Sequence, residues 1–238
     1  MDIGFEELDH RRTALGELVL RRRTEPKLGV EVLEVKLGDE FLMSSLFTVS
    51  EVELANLALA RLGQGPLDVA VGGLGLGYTA RAVLAHGSVR SLVVIEALEP
   101  VIEWHRNGQV PLGPELCADA RCTLIQGDFF ALAQSRALDG RNVGRQFHAV
   151  LVDIDHSPRH PLSASSASFY RTRGLSQLAA HLVAGGIFGL WSNDEPDAEV
   201  EREMRGAFAR VETHVVKFHN PLQDREASST LYFGFTGA

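Results

Sequence analysis

The stretch LDVAVGGLGLGYTARAVLAHG, residues 67–87, decides the fold. LDVAVGG is apolar apart from Asp68 and reads as a strand buried on both faces, as in a parallel sheet. YTARAVLAHG reads as a helix that Gly87 stops. Between them stand Gly72, Gly73, Gly75 and Gly77, where the strand turns into the helix. Glycine permits a tight turn and lets a ligand approach the backbone with no Cβ in the way. The helix N-terminus behind it presents N–H groups and a partial positive charge. These four glycines are therefore candidate ligand contacts, with tight strand–helix packing as the alternative use of the same pattern.

Outward from this loop the text keeps alternating. VRSLVVIE (89–96), RCTLIQGD (121–128), FHAVLVDID (147–155) and IFGLWS (187–192) read as buried strands. EPVIEWHRNG (99–108) and SFYRTRGLSQLAAHLVAGG (168–186) read as helices, the second with a Gly-Gly exit. Near-continuous apolar strands separated by helices predict a parallel sheet covered on both faces. After the helix PDAEVEREMRGAFARV (196–211) come VETHVVKF and STLYFGF with no helix between them, so that pair is antiparallel. The count is seven strands. Acidic residues end three of them: Glu96, Asp128 and Asp153. Carboxyl ends of parallel strands meet at the crevice where ligands bind, and Glu96 lies about 20 residues past the loop, where a carboxylate can hold ribose hydroxyls.

Upstream, GELVLRRR (16–23), VEVLEVKL (30–37) and EFLMSS (40–45) alternate in the manner of a β-meander. A helix follows from Ser50, with Ser50 and Glu53 as a capping box and Gly63 as its end. The expected organisation is a meander over residues 1–49 and a nucleoside-binding domain over 50–238. A meander this small packs on the rest or on a partner, and its edges invite a homodimer.

Lys and Arg number 23 against 31 Asp and Glu, a net charge of −8. That argues against nucleic acid, which rewards basic surfaces, and suits a small cationic substrate. No apolar run reaches the roughly 20 residues of a membrane span, and the acidic start of the chain is unlike a signal peptide, so a cytoplasmic location is expected. Cys117 and Cys122 lack a second ligand pair and read as reduced thiols. Asp153, Asp155, His156 and His160 are of metal-ligand type, yet their loop spacing fixes nothing and no metal is expected. Pro158 and Pro161 there suggest a shaped lid over substrate.

With these residues in place the sequence resembles the spermidine synthase-like branch of the S-adenosylmethionine-dependent transferases, from about residue 16 to the end. The resemblance implies a Rossmann-like, seven-stranded class I methyltransferase sheet whose last strand is antiparallel. It implies S-adenosylmethionine or its decarboxylated form as co-substrate, held by Gly72 to Gly77, with Glu96 on ribose and Gly127, Asp128 and Phe129 at the adenine. It places Asp153 beside the reacting amine, with Asp155 or His156 assisting. The departures are specific. Gly75 stands where polyamine-making members carry an amine-binding Asp, the second carboxylate of their Asp-Ser-Ser-Asp run is displaced by one residue to Asp155, and Ser45 and Leu54 replace a Gln and a Tyr. Aminopropyl transfer to an amine is the leading expectation and methyl transfer the runner-up, because intact S-adenosylmethionine carries a carboxylate that the loop N–H groups would welcome. A non-catalytic nucleoside or polyamine binder is the reading of another class.

Overall fold

The protein is described by a computed structural model covering residues 4–160, 162 and 164–237; Pro161, half of the expected lid, lies outside the described residues. Four antiparallel strands come first, in the order β1 (Phe5–Thr13), β2 (Gly16–Glu25), β3 (Val30–Leu37), β4 (Glu40–Ser44). The first of them lies within the expected meander of residues 1–49 but is not among its three candidate strands. β1, FEELDHRRT, escapes a period-2 reading because it is an exposed edge strand held by charge pairs, such as Glu6 with Arg22, rather than by an apolar face. Its Asp9 also accepts the indole N–H of the fully buried Trp104 at 2.7 Å, which fastens the strand to the main body. On the inner face Leu18, Leu20 and Val35 are buried in one core with Leu54, Ala58 and Leu59. Each such leucine contributes about 1.5–3 kcal/mol.

The second sheet has the order β10-β11-β9-β8-β5-β6-β7. Its strands are β5 (Leu67–Gly72), β6 (Val89–Glu96), β7 (Cys122–Gln126), β8 (Phe147–Val152), β9 (Leu182–Ser192), β10 (Arg210–Asn220) and β11 (Arg225–Phe235). The first five are mutually parallel, and β11 runs antiparallel between β9 and β10, as the sequence predicts. The order reverses between β5 and β8, which makes the carboxyl ends of those two strands the place for a ligand.

Helices α1 (Val49–Leu59), α2 (Tyr78–Leu84), α3 (Glu99–Arg106) and α4 (Gly113–Ala118) pack on one face with the meander. On the other lie α5 (Phe129–Ala133), α6 (Thr172–Ala179) and α7 (Ala198–Ala207), over a cluster that includes Phe130, Phe169, Phe188 and Phe208. Two local expectations change. The Gly-Gly pair at 185–186 is not a helix exit: it lies inside β9, which starts at Leu182, and Gly185 takes a φ of +71° there. Helix α1 starts at Val49 with Thr48 at its N-cap and no side-chain cap; Ser50 lies inside the first turn, so the expected Ser50–Glu53 capping box does not form. Among the described residues no helix is long and apolar enough to cross a membrane.

Candidate active site

The glycine loop between β5 and α2 is closed on itself and its neighbours. Gly73 N–H donates to Ile95 O at 2.9 Å, Leu74 N–H to Glu96 Oε2 at 3.0 Å, Leu76 N–H to Met43 Sδ at 2.7 Å and Gly77 N–H to Leu74 O at 2.8 Å; Gly75 N–H also faces the Glu96 carboxylate. Glycine is obligatory at position 73, where φ is +93° and a Cβ would run into the carbonyl oxygen of Asp153. At Gly75 a Cβ would meet Met43 Sδ. A methionine from β4 thus fills the space beside Gly75, the position where the resemblance would put an amine-binding Asp. Beneath the loop the fully buried His105 donates Nε2–H to Gly75 O at 2.9 Å, and burial lowers its pKa.

Glu96 accepts a second N–H, from Leu98 at 2.9 Å, and so ties the loop to the end of β6. Burial raises its pKa while these N–H groups oppose the rise. Removing the carboxylate unpins the loop as well as any ribose contact. Glu96→Ala is expected to weaken nucleoside binding by about 1–3 kcal/mol, the cost of leaving polar partners unpaired. Unchanged affinity in calorimetry would make the loop purely structural.

Asp153 follows β8 and accepts the Thr79 hydroxyl at Oδ2, 2.8 Å. Facing it is Glu51, in the first turn of α1 and 7% exposed. Trp191 Nε1–H donates to Ser50 Oγ at 2.9 Å, and the Ser50 hydroxyl donates to Glu51 Oε2 at 3.1 Å. Burial pushes both carboxyl pKa values up, and the charge of Asp153 pushes Glu51 further. Two carboxylates that resist ionising together make a receptor for a cation. Sequence reasoning missed Glu51, since an acid in the first turn of a helix reads as favourable end charge.

Asp155 is placed differently from the expectation. It is 4% exposed, and its oxygens accept Leu162 N–H at 2.7 Å and the Tyr170 hydroxyl at 2.5 Å. Burial raises its pKa and that of Tyr170 well above the ordinary phenol value. The one-residue displacement turns this carboxylate into an anchor for the loop after β8. Asp128 caps α5 through Oδ1, accepting Phe130 N–H at 2.9 Å. Phe129 is 2% exposed, and its ring occupies the space a Cβ at Gly72 would need, 2.6 Å away. It is a core residue under the loop rather than a surface open to the nucleoside.

A cavity of about 350 Å³ joins these parts. Gly73, Gly75, Glu96, Asp153, Asp155 and His156 line it, as do Met43, Glu51 and Thr79. Gly72, Gly77, Asp128 and Phe129 lie outside that lining.

A Rossmann-like sheet with an inserted antiparallel strand, an N-terminal antiparallel sheet and an acidic cavity where they meet define a spermidine synthase-like architecture. Solved structures bear this out. A spermidine synthase crystallised with the transition-state analogue AdoDATO superposes with a TM-score of 0.74 at 16% identity, over 97% of this chain and 74% of that one. The spermidine synthase of Thermotoga maritima gives 0.70 at 16% identity, over 97% and 72%. In sequence, the polyamine aminopropyltransferase 2 of Pseudomonas aeruginosa is 27% identical over 159 residues, which cover 63% of this chain and 42% of that protein. The match therefore spans less than half the length of that relative. No family model matches the chain.

Proposed function

We propose that the chain is a spermidine synthase-like transferase that moves an aminopropyl group from decarboxylated S-adenosylmethionine to an amine. One observation carries the choice of donor. The described cavity lining holds the carboxylates of Glu51, Glu96, Asp153 and Asp155 and no Lys or Arg, and the loop N–H groups from Gly73 to Gly77 already have acceptors. The carboxylate of intact S-adenosylmethionine would meet four carboxylates, no Lys or Arg, and no unengaged loop N–H. A donor bearing only sulfonium and ammonium charges suits the cavity. This reverses the argument for methyl transfer drawn from the glycine loop alone.

In the proposed step the amine nitrogen attacks the propyl carbon bound to sulfur. The C–S bond breaks, its electron pair stays on sulfur, and methylthioadenosine leaves uncharged. Asp153, with Glu51 across from it, accepts the proton the nucleophile must lose and balances the cationic product. Thr79 holds Asp153 in place. Asp155 fixes the loop through Tyr170, and His156 lines the passage to the acceptor. With decarboxylated S-adenosylmethionine and a panel of amines, mass spectrometry is expected to show aminopropylated products and methylthioadenosine; methylated amines from the intact donor would overturn the choice.

The same reading places the chain, with its two free thiols, in the cytoplasm and makes it a homodimer through the N-terminal sheet. Phe5, Val30 and Phe41 are exposed there, and the Arg21 guanidinium sits 5.5 Å and 4.8 Å from the Phe5 and Phe41 ring centres. Light scattering at micromolar concentration is expected to give twice the chain mass. A monomer with the N-terminus intact removes this assignment.

A further inference from the structure

The cavity follows the carboxyl edge of the main sheet in strand order. Glu96 ends β6, Gly73 follows β5, Asp153 follows β8 and Trp191 lies at the end of β9. Residues 227–229 at the start of β11, with Phe218 and Asn220 at the end of β10, close the far side. Neighbouring strands stand about 4.8 Å apart, so the three steps from β8 to β10 put that far side roughly 14 Å from Asp153.

Charge is distributed unevenly along this path. Glu51 and Asp153 line the near end on either side of Thr79, whose hydroxyl oxygen lies 2.8 Å from Asp153 Oδ2 and 3.5 Å from Glu51 O; Glu96 is engaged by the glycine loop, and Asp155 is turned to Leu162 and Tyr170. Beyond them, Phe47 and Phe218 form a wall with ring centres 6.1 Å apart and planes at 39°. The polar groups there are neutral: Asn193, Asn220 and Ser228. Ser228 donates outward to the exposed Glu195 at 3.2 Å, and Glu195 is not part of the lining. His156, between the two ends, can contribute only positive charge.

A diamine gripped at one end by Glu51 and Asp153 would carry its second ammonium toward this half-buried wall, away from both carboxylates. There it would lose part of its hydration and find no carboxylate in the described lining to replace it. An aromatic face returns about 0.5–1 kcal/mol at an exposed site and about 2 kcal/mol when desolvated. The cost wins. We infer that the acceptor is a monoamine, its single basic nitrogen delivered to Glu51 and Asp153 and its uncharged, largely apolar arm laid against Phe47 and Phe218. The inference rests on the aminopropyl-transfer reading for the identity of the site, and binding separates the two.

The test titrates hexylamine, 4-phenylbutylamine and 1,6-diaminohexane by calorimetry into the protein saturated with methylthioadenosine. Both monoamines are expected to bind at least about 10-fold tighter than the diamine, about 1.4 kcal/mol. Phe218→Glu or Asn220→Asp, each adding an anion to the far wall, is expected to reverse the order. A diamine that binds native protein as tightly as hexylamine overturns the inference, as does the absence of binding by any of the three amines. Turnover with decarboxylated S-adenosylmethionine is read separately. Monoamine-selective binding without product supports the inference and removes the transfer reading. A diamine turned over with the higher kcat/KM removes the inference alone.

Discussion

Asp153→Asn is expected to cut turnover by about 10²–10⁴-fold while nucleoside affinity stays within a few-fold, the span for a positioned acid–base group. A protonated amine has no lone pair with which to attack, so the site must take a proton from it. Asp153 is placed for that task by its backbone: it directly follows β8, and its N–H donates to Gly72 O at 2.9 Å, which sets it against the loop. Burial raises its pKa, which makes it a better proton acceptor near neutral pH than an exposed carboxylate. Asparagine keeps the shape and still offers an oxygen to the Thr79 hydroxyl, so the loop has no reason to move. Single-turnover kinetics with saturating donor, alongside calorimetry with methylthioadenosine, separates chemistry from binding. Turnover within threefold of the native protein would deny Asp153 its role. An equal loss of nucleoside affinity would instead make it a structural contact.

The parallel strands were legible because β5, β6 and β8 are apolar on both faces, and a strand that covers two layers leaves no other pattern. The antiparallel end was legible because the ten residues between VETHVVKF and STLYFGF cannot hold a crossover helix. β1 was not, because its partners are charges on β2 and a single indole on α3, contacts with no period. The site divides in the same way. Glu96 and Asp153 end strands, and the strand ends converge by topology alone. Glu51 comes from a helix whose approach to Asp153 depends on how α1 packs across the sheet. Met43 reads as one more apolar residue of a strand, and only the close approach of β4 to Gly75 shows it filling the place of a missing carboxylate. Asp155 lines the cavity, but its bonds to Leu162 and Tyr170 could not be read from the sequence, because a loop after a strand has no fixed period that says which way a carboxylate turns.

Glu51→Gln is expected to weaken binding of the amine by about 10–100-fold and yet to raise the melting temperature of the empty protein at pH 8. In the unfolded chain both carboxyl groups titrate near pH 4. In the folded protein burial raises both, and the charge of Asp153 raises Glu51 again. The folded state therefore holds protons that the unfolded state has released. Stability falls as pH climbs above about 4 and goes on falling until the raised pair has ionised. Gln removes Glu51's share of that slope, while the share from the burial of Asp153 remains. Each tenfold gain in a carboxylate's proton affinity on folding corresponds to about 1.4 kcal/mol, and about 1 kcal/mol moves the melting point of a chain this size by about 2–4 °C. The variant should thus melt at least about 2 °C above the native protein at pH 8 and show no advantage at pH 5. An ammonium in the cavity relieves the same repulsion, so amine should stabilise the native protein more at pH 8 than at pH 5, and the variant should lose most of that gain. Scanning calorimetry at the two pH values, with and without hexylamine, reads all of these. A native melting point that stays level from pH 5 to pH 8, or a variant that binds amine as tightly as before, would leave Glu51 as a buried acid with no part in receiving the substrate.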